Sequence, residues 1–155
     1  MSITELNNLS SFAVPLQYSG SSKGSNKKAR AAIARGQVLF NSKPIQITGV
    51  KGMLDIGVSD ASRRTPDMPL YTLQNKVTGE TIETTDPGRA LVTGKWKDIG
   101  RFKGPVLRSV ASRPPYFHNG SAKDLPAVIE FYNTRFSIGL TDREQADLVA
   151  FLASL

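Results

Sequence analysis

The chain has 155 residues, of which 39% are hydrophobic, and this size fits one domain with a modest core. It has no cysteine, which excludes disulfides, thiolate metal sites and thiol catalysis. The formal net charge of +7 comes without a basic run or a nucleic-acid-binding motif, so it predicts a basic surface suited to an acidic protein rather than to nucleic acid. No apolar run is long enough for a membrane span, and no signal-peptide pattern is visible.

The N-terminal part of the chain predicts a flexible arm followed by a helix. Residues 1–25 are rich in Ser, Asn and Gly and have little to bury. From Ser25, which can cap a helix, apolar residues recur at helical spacing as far as Phe40. Gly36 interrupts this pattern at a cost of about 1 kcal/mol relative to alanine, which suggests that another element packs closely against its backbone. We assign residues 26–155 to one domain.

The middle of the chain predicts a long loop and a hairpin. Residues 41–69 have no clear period and contain several Gly and Pro, so we expect a loop that wraps another part of the molecule or lacks structure. Residues 70–84 are rich in strand-forming side chains on either side of Thr78-Gly79, which predicts a β-hairpin with its turn at that dipeptide.

Two short helices are expected next. The first is predicted to begin at Asp86-Pro87, with the aspartate as cap and the proline at the first helical position, and to end near Gly94. The second is predicted to begin near Pro105 and to present Leu107 and Val110 on its apolar face.

Two longer amphipathic helices close the sequence. One opens near Asp124, and the other opens with the capping-box pattern from Thr141 to Glu144. Their predicted apolar faces consist of Leu125, Val128, Ile129, Tyr132 and Phe136 in the first helix and Leu148, Phe151, Leu152 and Leu155 in the second. The predicted fold class is mostly α, with short helices, long loops and one small β-hairpin.

Five segments, taken in order, resemble the C-terminal haem domain of the bacterial di-haem cytochrome c peroxidases, including their MauG-like branch. The segments are residues 34–41, 85–91, 98–108, 115–121 and 140–152. The most specific of them reads Pro-Tyr-Phe-His-Asn-Gly-Ser and begins at Pro115. The resemblance covers about residues 30–155 and implies a cytochrome c-like fold.

In that family a Cys-x-x-Cys-His motif follows the first helix, attaches the haem through two thioethers and supplies the proximal iron ligand. Here the sequence between Phe40 and Val58 contains neither cysteine nor histidine, while both flanks still resemble the family. We therefore interpret the chain as a degenerate member from which the motif-bearing segment has been deleted, without covalent haem and without expected peroxidase activity of its own. The family's compartment implies the periplasm.

The resemblance also implies cofactor-binding residues. Tyr132 occupies the place of the distal iron ligand in the MauG-like branch, and its alternative role is core packing with its hydroxyl hydrogen-bonded. His118 lies near the haem edge in the family, and its alternative role is a buried histidine that holds its own loop. As the single imidazole of the chain, it is also a candidate ligand for non-covalently bound haem iron.

Further candidates are weaker. Met68 is a second soft ligand, or else a filler of irregular core space. Trp96, Arg101, Lys103 and Arg108 resemble residues that line the family's haem pocket, where the arginines can bind propionates. For Lys103 the alternative is a solvated surface charge. The family's calcium site would use the backbone carbonyls of Arg113 and Pro115, but the N-terminal haem domain that completes it is absent from this sequence, so calcium is not expected.

Three functions remain open beside that of a degenerate peroxidase-type domain. The chain can bind haem non-covalently, dock an acidic protein or redox partner as a non-redox module, or be a remnant without function. A separate chain can also supply the N-terminal haem domain. Because haem forms much of the core in c-type domains, we expect a marginal or molten chain unless the helices pack directly on one another or another molecule fills the haem pocket.

Overall fold

The computed structural model describes residues 25–43, 49–50 and 53–155. Within these residues the chain forms two compact units, one consisting of its N-terminal part together with Val106–Leu155 and the other of Ile47–Pro105. They are called the helical unit and the hairpin unit. The elements in chain order are α1 (Ser25–Ser42), β1 (Gly49–Val50), β2 (Met53–Leu54), β3 (Tyr71–Gln74), β4 (Thr81–Thr84), α2 (Ala90–Thr93), β5 (Phe102–Lys103), α3 (Leu125–Arg135) and α4 (Asp142–Leu152).

These elements confirm the predicted fold class, which is mostly α with a small β-hairpin. The long helix from Ser25 and the two C-terminal helices are present as expected. The proposed arm, residues 1–25, lies outside the described residues apart from Ser25, where α1 begins. The assignment of residues 26–155 to one domain stays a prediction.

The helical unit is held together by a core of aliphatic and aromatic side chains. Its buried members are Val110, Leu125, Ile129, Leu140, Leu148, Phe151 and Leu152. Phe40 of α1 packs on this cluster, with its ring centroid 5.5 Å from that of Phe151 in α4. The helices therefore pack directly on one another. Such packing is one of the arrangements under which we expected the chain to be ordered without haem.

Gly36 allows the close contact between α1 and α4. A Cβ atom at this position would collide with the carbonyl group of Asp147 and would lie 2.8 Å from the Cβ of Phe151. The suggestion that another element packs against the backbone at Gly36 is confirmed. Next to this contact, Arg35 donates from Nε and Nη2 to the carboxylate of Asp147 at 2.6 and 2.7 Å.

Both C-terminal helices begin with the expected caps. The carboxylate of Asp124 accepts a hydrogen bond from the amide of Ala127 at 2.8 Å. At α4 the amide of Glu144 donates to Thr141 Oγ1 at 3.3 Å, and the amide of Thr141 donates to Glu144 Oε2 at 2.8 Å. These reciprocal bonds form the predicted capping box, which satisfies backbone donors at the start of the helix.

The hairpin unit contains the predicted hairpin and a sheet that was not predicted. Strands β3 and β4 pair antiparallel, with Tyr71 opposite Thr84 and Leu73 opposite Ile82, and the turn contains Gly79 at φ +77°. The same unit also contains a separate three-stranded antiparallel sheet in the order β1-β2-β5. Its strands have two residues each, which is too short for any periodicity to show in the sequence.

The predicted start of the first short helix is wrong, while its end at Gly94 is confirmed. Helix α2 begins at Ala90, and the carboxylate of Asp86 instead accepts from the amide of Gly88 at 2.7 Å in a turn. Gly88 has a φ of +59°, which excludes it from a helix, and a Cβ there would lie 2.7 Å from the carbonyl oxygen of Arg101. Contact with the backbone of Arg101, 13 residues further along the chain, therefore accompanies the later helix start.

The second short helix was also placed too early. The structure has a single 3-10 turn over Val110–Ser112. Ser109 precedes it at φ +53°, a left-handed conformation that does not continue a helix from Pro105. Val110 is buried in the core, as expected.

Candidate functional site

In the helical unit, Tyr132 lies in a group of four aromatic side chains, the Tyr132 cluster: Phe117, Phe131, Tyr132 and Phe136. The ring centroid of Tyr132 lies 5.5 Å from that of Phe131, edge to face, and 5.8 Å from that of Phe136, stacked. Phe117 approaches Phe131 at 4.6 Å. The burial of its hydroxyl raises the pKa of Tyr132 to about 12, so this side chain is a neutral phenol at physiological pH.

Phe117 and Phe131 were not selected from the sequence as part of this site. Phe131 follows Val128 by three residues, which is helical spacing, so the apolar stripe predicted for α3 could have included it. Phe117 has a φ of +66°, a conformation that aromatic residues rarely adopt. It brings a loop residue onto α3, and no local pattern predicts that contact.

His118 lies next to Phe117 in the loop that resembles the family most closely. This loop is closed by a pair of hydrogen bonds between Tyr116 and Ala122, with the amide of Tyr116 donating to the carbonyl of Ala122 at 2.7 Å. His118 is exposed, so the burial expected in its alternative role is wrong. The loop is closed by backbone hydrogen bonds and by Tyr116, whose hydroxyl donates to the carbonyl of Val110 at 3.0 Å.

The residues implied for calcium and for one propionate contact lie in the segment before this loop. Arg108, Arg113 and Pro115 are all exposed. Arg113 donates from Nη2 to the carbonyl oxygens of Val106 at 2.8 Å and Arg108 at 2.7 Å, and from Nε to that of Ser109 at 3.4 Å. The guanidinium of Arg113 thus holds its own segment together.

Met68, Trp96 and Arg101 belong to the hairpin unit. Met68 lies in a turn, where its amide donates to the carbonyl of Thr65 at 3.0 Å, and Trp96 begins a 3-10 turn. Arg101 donates from Nε to the carbonyl of Lys97 at 2.7 Å. Its Nη1 is buried without an acceptor in the described part of the chain, so this group is suited to a carboxylate.

Close to Arg101 in sequence, Asp98 organises the same segment, and sequence reasoning did not select it. Asp98 is only 3% exposed, accepts from Thr93 Oγ1 at 2.8 Å and pairs with Nε of Arg89 at 3.3 Å. The hydrogen bond from Thr93 lowers the pKa of Asp98, so its charge is retained at neutral pH.

A shallow cavity of about 590 Å³ also lies in the hairpin unit. None of the predicted site residues lines it, since its walls consist of Ala61, Arg64, Thr65, Pro66, Leu70 and Glu83. Among the described residues, no group of three acidic, histidine or cysteine side chains is placed to hold a metal ion. No helix of the described chain is both long and apolar enough to cross a bilayer.

The residues described above can be tested for their fit to covalently and to non-covalently bound haem. Covalent attachment does not fit, because the chain has no cysteine to form a thioether. A carboxylate-bearing cofactor fits the buried and unsatisfied Nη1 of Arg101 in the hairpin unit. In the helical unit, Tyr132 would have to lose its proton to bind iron as a phenolate, and its raised pKa opposes that loss until a metal charge stabilises the anion.

Comparison with known proteins identifies relatives over part of their length. The chain is 40% identical over 81 residues to cytochrome-c peroxidase IdrP1 of Denitromonas iodatirespirans, which covers 45% of this chain and 22% of that protein. It is 29% identical over 148 residues to cytochrome-c peroxidase IdrP1 of Pseudomonas sp. (strain SCT), which covers 78% of this chain and 39% of that protein. It is 59% identical over 34 residues to methylamine utilization protein MauG of Paracoccus denitrificans, which covers 22% of this chain and 9% of that protein.

No family model matches the sequence, and no solved structure matches it. The chain spans well under half the length of either IdrP1 protein. The resemblance seen in the sequence is nevertheless confirmed by peroxidases from more than one genus and by MauG. The chain is therefore a homologue of the bacterial di-haem cytochrome c peroxidases and of MauG, related to them over part of their length.

Proposed function

We propose that this chain is a degenerate cytochrome c-like domain that functions without covalent haem, as a module that docks a protein partner. The observation that carries this proposal is the core of the helical unit, in which α1 lies directly on α4 at Gly36. This contact and the buried cluster around Phe151 need no cofactor to fill them. The chain also lacks the two cysteines that covalent haem requires.

The comparison with Pseudomonas IdrP1 supports a deletion in the ancestry of this chain. The match extends over 148 positions but includes only 78% of a chain of 155 residues. The relative therefore has positions without a counterpart here, as expected when a segment is removed. Loss of the motif-bearing segment would remove haem attachment, proximal ligation and peroxidase activity together.

The basic charge supports docking of an acidic partner. The net charge is +7, and charged surfaces of this kind guide association with partners of opposite sign. We propose a periplasmic location and an acidic or redox protein as partner, in keeping with the peroxidase relatives. A separate chain that supplies an N-terminal haem domain is a partner of the same class.

Non-covalent haem binding is the second candidate function, and the unsatisfied Nη1 of Arg101 favours it. A haem propionate would supply the acceptor that this buried donor lacks. The resemblance separately implies Tyr132 and His118 of the helical unit as iron ligands, and Met68, Trp96 and Arg108 are the remaining residues that it implies.

A haem titration of the purified chain separates the two functions. The docking proposal expects no shifted Soret band and no rise in melting temperature when haem is added. Binding with one-to-one stoichiometry would favour the second candidate, provided that it is weakened in Arg101→Gln and unaffected in Arg63→Gln, which replaces an exposed arginine outside the implied haem pocket and serves as the control. Tyr132→Phe and His118→Ala then identify the iron ligand from the changed absorption spectrum.

A further inference from the structure

Helix α2 exposes two large aliphatic side chains at adjacent positions. Leu91 is 74% exposed and Val92 is 89% exposed, whereas Ala90 and Thr93 on the other side of the same turn are partly buried. Two neighbouring aliphatic side chains in water are unfavourable for an isolated chain, and such apolar surface is typical of a binding site for another protein.

The segment that carries these side chains is held firmly in place. The buried carboxylate of Asp98 binds Thr93 Oγ1 and pairs with Arg89, so it ties both ends of α2 to the following turn. Behind the helix, the amide of Arg89 donates to the carbonyl of Arg101 at 3.0 Å. Leu91 and Val92 are therefore presented in a fixed geometry, which lowers the entropic cost of binding a partner.

The charges next to these side chains are positive. Lys95 and Lys97 follow α2 directly, both are exposed, and neither forms an ion pair in the described part of the chain. The acidic side chains of the segment bind other groups directly, because Asp98 is engaged by Thr93 and Arg89, and Asp86 accepts from the amide of Gly88. Besides the hydrogen bond from Thr93, the charge of Lys97 helps to lower the pKa of Asp98 but forms no ion pair with it, so the surface combines an apolar centre with two exposed lysines.

We propose that Leu91, Val92, Lys95 and Lys97, the Leu91–Lys97 surface, bind an acidic segment of a partner protein that inserts aliphatic side chains against α2. This inference rests on the docking function proposed above and assigns that function to one surface of the hairpin unit. An apolar centre with charged residues around it has the composition of a protein interface. A second copy of this chain is a poor occupant, because each copy carries a net charge of +7.

The test measures binding of a fluorescent peptide of glutamates and leucines to the full chain by anisotropy, with a glutamine-for-glutamate peptide for comparison. Binding should weaken with salt, and the glutamine peptide should bind more weakly. The double variants Leu91→Gln/Val92→Gln and Lys95→Glu/Lys97→Glu should each lose at least about tenfold in affinity. The matched control is Lys76→Glu/Val77→Gln in the turn of the hairpin, where Val77 is 92% exposed, and its affinity should be unchanged.

Each outcome decides a different point. If the acidic peptide binds and all three double variants bind it equally well, the Leu91–Lys97 surface is wrong and the docking function stands. If the acidic peptide does not bind at any salt concentration, the docking function itself is overturned. If sedimentation shows a dimer that Leu91→Gln/Val92→Gln abolishes, the occupant is a second copy and the proposed partner is wrong. Circular dichroism of each variant verifies its fold.

Discussion

Replacing Gly36 by alanine sets two effects of opposite sign against each other in α1. Alanine is the better helix former by about 1 kcal/mol, so helix propensity alone predicts a more stable chain. A Cβ at this position, however, would collide with the carbonyl group of Asp147, whose carbon lies 2.6 Å away, and would lie 2.8 Å from the Cβ of Phe151. These atoms cannot rotate out of the way, because they belong to the backbone of α4 or are attached directly to it.

The steric effect should win. Overpacking of a well-packed core costs about 1–3 kcal/mol, and occasionally more, and contact with rigid atoms favours the upper end of that range. After subtraction of the gain in propensity, Gly36→Ala should lower the free energy of unfolding by about 2 kcal/mol. For a chain of this length, such a change lowers the melting temperature by about 4–8 °C.

Thermal and urea unfolding followed by circular dichroism measures this difference. The matched control is Ala34→Gly, an exposed position of the same helix, where only propensity acts and a loss of about 1 kcal/mol is expected. If Gly36→Ala melts at or above the temperature of the unmodified chain, α1 and α4 are not in the contact described, and the argument for a core that needs no cofactor fails with it.

Three further predictions concern the same unit. Asp147→Asn should lower the melting temperature at neutral pH. The hydrogen bonds from Arg35 lower the pKa of Asp147, so their stabilisation is present above the ordinary carboxyl pKa of about 4 and is lost as the pH falls through the lowered value. A difference between the two proteins that persists unchanged in acid would contradict this. Tyr132→Phe should reduce the loss of stability between about pH 10 and 12, because a phenol whose pKa is raised to about 12 by burial disfavours the folded state over that interval. Identical alkaline unfolding of both proteins would show that the hydroxyl is not buried. Thr141→Ala should cost about 1 kcal/mol in chemical unfolding through loss of the capping box, and an unchanged midpoint would show that α4 does not depend on it.

The parts of the fold that sequence reasoning found are those whose signal is local. The capping box at Thr141 is a pattern of four adjacent residues, and the turn at Gly79 joins two strands within one hairpin. Gly36 was interpreted correctly because a glycine within a helical pattern needs a reason, and close packing is the usual one. Such signals do not depend on which distant segment completes the contact.

The parts that were missed or misplaced depend on distant partners. Helix α2 starts later than predicted, and Gly88 just before it contacts the backbone of Arg101. The ion pair of Arg35 with Asp147, which was not predicted, joins residues 112 positions apart. The candidate site divides in the same way. Tyr132 was selected through the family resemblance and lies on the predicted apolar face of its helix, whereas the contact of Phe117 with α3 depends on a left-handed backbone that no spacing reveals.

Arg113 changes how the loop around His118 is expected to respond to its surroundings. Its guanidinium donates hydrogen bonds to the carbonyl oxygens of Val106, Arg108 and Ser109, so a positive charge is surrounded by oxygen atoms as a bound metal cation would be. Here the charge is part of the polypeptide, so it cannot be chelated, diluted or exchanged. The segment that leads into the loop should therefore keep its shape whether or not divalent ions are present in the medium.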